Sequence, residues 1–120
     1  MAEWDLHITY DGGDIGIKNA ADGSDASDLA VRPGDTLTFK CEGHGWGIQF
    51  IGEGLPANSN RATPPVDPAS VNGKAGDSAT ITVDADANPG DRWDYVAAVS
   101  HDDKVHTRDP EIVIQGRGGG

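Results

Sequence analysis

Cysteine is almost missing from this chain. Cys41 is the only one, so no intramolecular disulfide can form and cysteine usage does not decide the redox compartment. Basic residues are scarce too: nine Lys and Arg face 20 Asp and Glu, for a net charge of −11 at pH 7. Nothing supplies the Lys/Arg cluster that phosphate neutralisation needs, which excludes a nucleic-acid partner and disfavours an anionic membrane surface. No apolar run approaches the ~18 residues of a membrane-spanning helix. The N-terminus, Met1-Ala2-Glu3-Trp4-Asp5, lacks the basic-then-apolar layout of a signal peptide. Large apolar residues are few as well, with Leu, Ile, Val and Phe making up 22 of 120 residues. Beside so high a charge, that is the composition of a disordered chain.

Placement of those residues argues otherwise. Trp4, Leu6, Ile8 and Tyr10 alternate with Asp5, His7 and Thr9, the period of a half-buried strand. Asp11-Gly12-Gly13-Asp14 breaks the run, and Ile15-Gly16-Ile17 is a short return strand. Residues 18–28 are small and polar, a loop. Leu29-Ala30-Val31 precedes Arg32-Pro33-Gly34-Asp35, where Pro and Gly suit a type II turn. Alternation resumes over 36–41, 46–50, 79–83, 93–99 and 110–115. Between them lie a Gly/Pro-rich connection from Gly52 to Asp77, a turn around Asn88-Pro89-Gly90, and a polar loop from Ser100 to Asp109. No segment holds ten residues of helical periodicity. The expectation is one all-β domain over residues 1–115, a Greek-key β-sandwich of seven to eight strands, with a flexible Gly-rich tail at 116–120.

Several stretches, in this order, resemble the cupredoxins, the blue-copper β-sandwiches. Val31-x-Pro33-Gly34-Asp35-x-Leu37-Thr38-Phe39 is similar to their second hairpin. Trp46-x-Ile48-x-Phe50 sits where they carry a His followed by the same alternation. Gly90-x-x-Trp93-x-Tyr95-x-Ala97 resembles the entry to their copper loop, and Asp109-Pro110-x-Ile112-x-Ile114 the last strand. The likeness spans residues 29–115 and implies a cupredoxin-like fold, commonly of an exported protein. A type 1 centre needs two imidazoles, one thiolate and a weak axial ligand, usually Met. By the same resemblance Trp46 replaces the first His, Ala97 replaces the Cys, and the only Met is residue 1. His101 falls near the second His and His106 near the axial position. Two strong ligands are thus absent, so no type 1 copper is expected. An indole and a methyl would fill the vacated site and avoid stranded polar groups.

Other features weigh against chemistry. His44, His101 and His106 could converge at one end of the sandwich, with Cys41, Asp102 or Asp103, as a Cu(II) or Zn(II) site; a solvated loop with chance histidines is the simpler reading. His7 lies on the polar face of the first strand. Asp84-x-Asp86-x-Asn88-x-Gly90-Asp91 misplaces the Gly of a calcium loop and has Tyr95 at its twelfth position, so it reads as a turn. Asp22, Asp25 and Asp28 read as a solvated loop. Cys41 follows Lys40, but with Leu37 and Phe39 inward it is expected on the other face. No nucleophile elbow, Cys–His signature or zinc-hydrolase helix occurs.

The expected function is a non-catalytic binding or assembly module with a degenerate copper site, without a cofactor. It would act through protein–protein contacts or self-assembly around Trp46, His101 and His106, or through open sheet edges. The alternative is a non-blue copper or zinc protein using His44, His101 and His106. With only four Lys, the acidic excess suits a chain adapted to high salt. Self-repulsion among its carboxylates is screened as the Debye length falls from about 10 Å at 0.1 M to about 3 Å at 1 M. The melting temperature should therefore rise over that range of KCl, and a salt-indifferent melt would contradict it.

Overall fold

The computed structural model describes residues 2–50, 65–87 and 89–115. Among these no helix occurs; eleven strands form two sheets. The count exceeds the seven to eight expected because several short strands lie in segments that read as loops. The strands are β1 (Glu3–Asp11), β2 (Asp14–Asn19), β3 (Asp28–Val31), β4 (Thr36–Lys40), β5 (Gly45–Phe50), β6 (Val66–Asp67), β7 (Ser70–Gly73), β8 (Ser78–Val83), β9 (Arg92–His101), β10 (Lys104–Arg108) and β11 (Glu111–Ile114). One sheet runs β2-β1-β4-β8-β6. The other runs β3-β11-β9-β5-β7, with β10 paired to the far half of β9. The expected 116–120 tail, and residues 52–64 of the expected long connection, lie outside the described residues.

Two-residue turns set the hairpins. Gly12 and Gly13, at φ 60° and 100°, connect β1 to β2. Positive φ at both central positions matches the strands' own twist. The expected polar loop at 100–109 is instead the hairpin β9–β10, closed by the pair His101↔Lys104. Its two turn residues, Asp102 and Asp103, adopt φ 52° and 60° without glycine. Asp tolerates this region better than most side chains do, which is why the turn carries no glycine signature. Gly34 has φ 90°, as the Pro33-Gly34 turn requires.

Alternation turns one face of each sheet into the core. Leu6, Ile8, Ile17, Leu37, Phe39, Ile81 and Val83 meet Val31, Trp46, Ile48, Phe50, Trp93, Tyr95, Ala97, Val99, Ile112 and Ile114. Tyr95 joins the layers: its ring lies 5.9 Å edge-on from Phe39 and 4.8 Å stacked on Phe50. Burial pushes its hydroxyl well above the usual tyrosine range. Cys41 is buried, not outward as expected, since two residues on from Phe39 keeps it on the inner face.

The edges are not all open. Along β2, the Ala26 amide donates to the Ile17 carbonyl at 2.7 Å, Lys18 and Asp25 form a bridge, and Arg108 Nη1 donates to the Ile15 carbonyl at 2.9 Å. That edge is occupied and unsuited to the strand addition the sequence suggested.

Asp35 anchors the N-terminal strand. Its buried carboxylate accepts from the Ala2 amide at 2.7 Å, Trp4 Nε1 at 3.1 Å and the Arg32 amide at 3.0 Å. These bonds tie the start of β1 to the β3–β4 turn, while β1 runs parallel to β4 from Glu3↔Thr36 onward. Desolvation alone would raise the Asp35 pKa, but the hydrogen bonds from Ala2, Arg32 and Trp4 together outweigh it and hold it below the ordinary 3.8. A depressed carboxylate contributes stability that is present above its unfolded pKa and lost as pH falls through the lower folded value. Asp35→Ala should cost about 2–3 kcal/mol at pH 7, as for hydrogen bonds to a charged group. In denaturant titrations between pH 7 and 3, Asp35→Asn should show a shallower acid loss than the parent; equal slopes would refute the anchor.

Candidate functional site

Trp46 and Ala97, the two residues that replace copper ligands in the resemblance, lie on neighbouring strands with both side chains inward. Trp46 pairs with Val99 and Ile48 with Ala97, and exposure is 4% for Trp46 and 0% for Ala97. Trp46 therefore offers almost no side-chain surface to a partner, and the part assigned to it in an exposed binding surface is corrected. On its other flank Trp46 pairs with Gly73, and its Nε1 donates to the Asp77 carbonyl at 3.2 Å. The indole lies over Gly73: a Cβ there would stand 2.8 Å from Trp46 Nε1 and 2.9 Å from Cε2. Trp93, also fully buried, has an Nε1 with no hydrogen-bond partner among the described residues.

The three candidate histidines do come together, around a residue that the sequence reading placed in the core stripe. Tyr10 is the last inward position of β1 and is only half-buried. Its ring centroid lies 5.1 Å from His44, 5.0 Å from His101 and 5.0 Å from His106. His44 comes from the turn before β5, His101 ends β9, and His106 pairs with Val99 in the middle of β10. His44 and His101 meet edge to face at 5.1 Å. The Tyr10 hydroxyl and His106 Nε2 share a hydrogen bond at 3.2 Å, and Asp102 Oδ2 stands 3.2 Å from His101 Nε2. Both sheets and the connecting turn thus contribute to a phenol–imidazole cover over one end of the core. Amphipathic rings suit such a place, apolar beneath and polar toward water. Its signal in the sequence was the parity of Tyr10, one step beyond Ile8 toward the open end.

Among the described residues no group of three His, Cys, Asp or Glu is already disposed to hold a metal ion. Cys41 lies in the core and Asp103 at the hairpin tip. His7 is half-buried on the outer face of β1. The acidic loops serve local geometry. Asp22 accepts from the hydroxyl and amide of Ser24, and Asp25 from those of Ser27, which holds both carboxyls below their ordinary value. At 84–91 the chain turns, with the Ala87 amide on the Asp84 carbonyl at 3.1 Å and Gly90 at φ 94°; Asn88 lies outside the described residues. No helix is long and apolar enough to cross a membrane among the described residues.

No protein-family profile and no curated protein sequence matches the chain. Solved structures do. A mutant amicyanin in its reduced Cu(I) form at pH 4 matches with a TM-score of 0.52 at 17% identity, covering 94% of this chain and 82% of that one. A pseudoazurin from Sinorhizobium matches at TM-score 0.46 and 20% identity over 98% of this chain and 77% of its own. A multicopper oxidase matches at 0.44 and 15% identity, over 97% of this chain and 39% of its own. The architecture is that of a cupredoxin-like β-sandwich. In this chain Trp and Ala stand where that resemblance places the first imidazole and the thiolate of a type 1 copper centre.

Gly73→Ala should displace the Trp46 indole, because its new methyl meets the ring and Asp77 Cβ at 2.8–2.9 Å. The expected loss is about 1–3 kcal/mol, the cost of overpacking. Denaturation followed by tryptophan emission checks it, and unchanged stability and emission would show that Trp46 does not rest on this glycine.

Proposed function

We propose that this chain is a non-catalytic binding module, a cupredoxin-like domain whose copper position has been filled and whose work is done through protein–protein contacts. The observation that carries this reading is the packing of Trp46 and Ala97, both inward and closed off from solvent. A functional metal centre keeps donor atoms at such positions. Here an indole and a methyl add apolar burial instead, at about 25 cal/mol per Å². The neighbouring strands support it: β9 and β10 continue as a regular hairpin where an electron-transfer protein would need a ligand-bearing loop.

The contact surface in this reading is the end bearing His101 and His106 together with the β10 face. Val105, at 69% exposure, is the exposed large hydrophobic residue of β10, on the strand face opposite His106. Lys104 and Arg108 are the charged residues of β10 and it carries no carboxylate, so a partner of like charge meets no repulsion from this strand itself. No catalytic residue and no cofactor belong to this reading, and an exported location rests on the fold likeness alone.

Sedimentation velocity over a wide protein range, at about 0.1 M and 1 M KCl, tests the self-assembling form of this module. Concentration-dependent association that strengthens as charge is screened, and that Val105→Lys weakens, is the expected result. A strict monomer under all conditions would overturn self-assembly through this face.

A further inference from the structure

The margins of the two sheets differ in what covers them. Residue 26 and Arg108 bond along β2, β7 lies against β8, and β10 approaches β2. β3 pairs with β11 on one side and, among the described residues, with no strand on the other. The Ser27 and Val31 carbonyls accept from the Glu111 and Gln115 amides, so the odd-numbered residues turn their backbone groups to β11. By the same period Asp28 and Ala30 turn theirs away from it. A cleft of about 460 Å³, lined in part by Ala2, Trp4, Ala30 and Arg32, gives an added strand room beside this edge. An uncovered edge of this kind is a template for pairing.

The charges on β3 say what would pair there. Asp28, Ala30 and Arg32 are exposed, while Leu29 and Val31 enter the core. Across the ladder Asp28 faces Glu111, a like charge, and Glu111 already holds Arg92 at 2.9 Å. Like charges directly opposite each other destabilise a strand pair. Arg32 makes no ion pair among the described residues, in a chain where cations are scarce. One free carboxylate and one free guanidinium thus stand four residues apart on the same face of an open edge.

We propose that the free edge of β3 docks a second copy of this chain, strand to strand and antiparallel, about a two-fold axis at Ala30. In that register each Ala30 exchanges amide and carbonyl with Ala30 of the other copy, and each Asp28 faces Arg32 of the other copy. Asp28-Leu29-Ala30-Val31-Arg32 is self-complementary in this register and in no neighbouring one. A slip of two residues sets Asp28 against Ala30, and a slip of one puts exposed residues opposite buried ones. The contact is isologous and closes as a dimer, so it does not grow into a fibre. Its ladder is short, because the Arg32 amide already donates to Asp35 Oδ2 at 3.0 Å and its carbonyl accepts from the Asp35 amide at 3.0 Å. Two backbone bonds and two exposed ion pairs make a weak, reversible association. This goes beyond the binding-module reading, whose contact face is β10, and stands or falls separately: Val105→Lys acts on that face, and residues 28 and 32 act on this edge.

Sedimentation and amide NMR of the full chain, up to its highest soluble concentration, test the edge. About 0.15 M KCl suits the measurement, since the Debye length of about 8 Å screens the net repulsion more than the contact pairs. A monomer–dimer equilibrium is expected, with concentration-dependent shifts centred on the amides of residues 28–32. Asp28→Arg and Arg32→Asp should each weaken it at least about tenfold, because opposite charges become like ones. The exchanged pair Asp28→Arg/Arg32→Asp should restore it. Ala30→Pro removes an amide that faces away from β11 and should abolish the dimer with circular dichroism unchanged. If the exchanged pair fails to fold, Asp28→Asn and Arg32→Gln take its place, and each should weaken the dimer. A strict monomer overturns the proposal. So does a dimer that the charge changes leave intact, or one lost only with Val105→Lys.

Discussion

A single buried carboxylate fixes where the first strand begins. Asp35 draws the Ala2 amide, the Trp4 indole and the Arg32 amide onto one buried group, so the first strand starts at a fixed point beside the β3–β4 turn. Once Glu3 is set opposite Thr36, the parallel register with β4 carries every later residue of β1 to its place. Leu6 and Ile8 enter the core by that register, and Tyr10 reaches the open end seven residues beyond Glu3. A slip of one residue would turn Tyr10 outward and leave the histidines with nothing to gather on. Charge at position 35 and ring contacts at the far end of the strand are thus parts of one arrangement.

Much of this was legible in the alternation. Leu6, Ile8, Leu37, Phe39, Ile48, Phe50, Trp93 and Tyr95 sit where period two puts them, because a chain so poor in large apolar residues can make a core only by placing nearly all of them inward. The Pro33-Gly34 turn was legible for a different reason, since only a few residue types tolerate its second position. The β9–β10 hairpin was not, because Asp102 and Asp103 take up a positive-φ turn without glycine, and Lys104 to Arg108 is too exposed to alternate. Convergence of His44, His101 and His106 was a possibility in the sequence. Its centre, Tyr10, was hidden among core positions, since parity tells a face but not how far along the sandwich the core extends.

The acidic composition also resolves into separate roles. Asp35 and Asp91 are buried, Asp22 and Asp25 fold back on serines to shape a loop, and Asp102 and Asp103 form a turn. Aspartate recurs because a short carboxylate reaches neighbouring amides, which glutamate does less readily. Six of the sixteen aspartates are thus accounted for by burial and tight connections in a small sandwich.

Arg108 reaches from the second sheet to the Ile15 carbonyl of the first, where β10 and β2 approach. Seen in cross-section, the sandwich is clasped there as a barrel would be, by a side chain in place of a missing strand. At the other margin β7 of the second sheet lies against β8 of the first, so the sandwich is held along both sides.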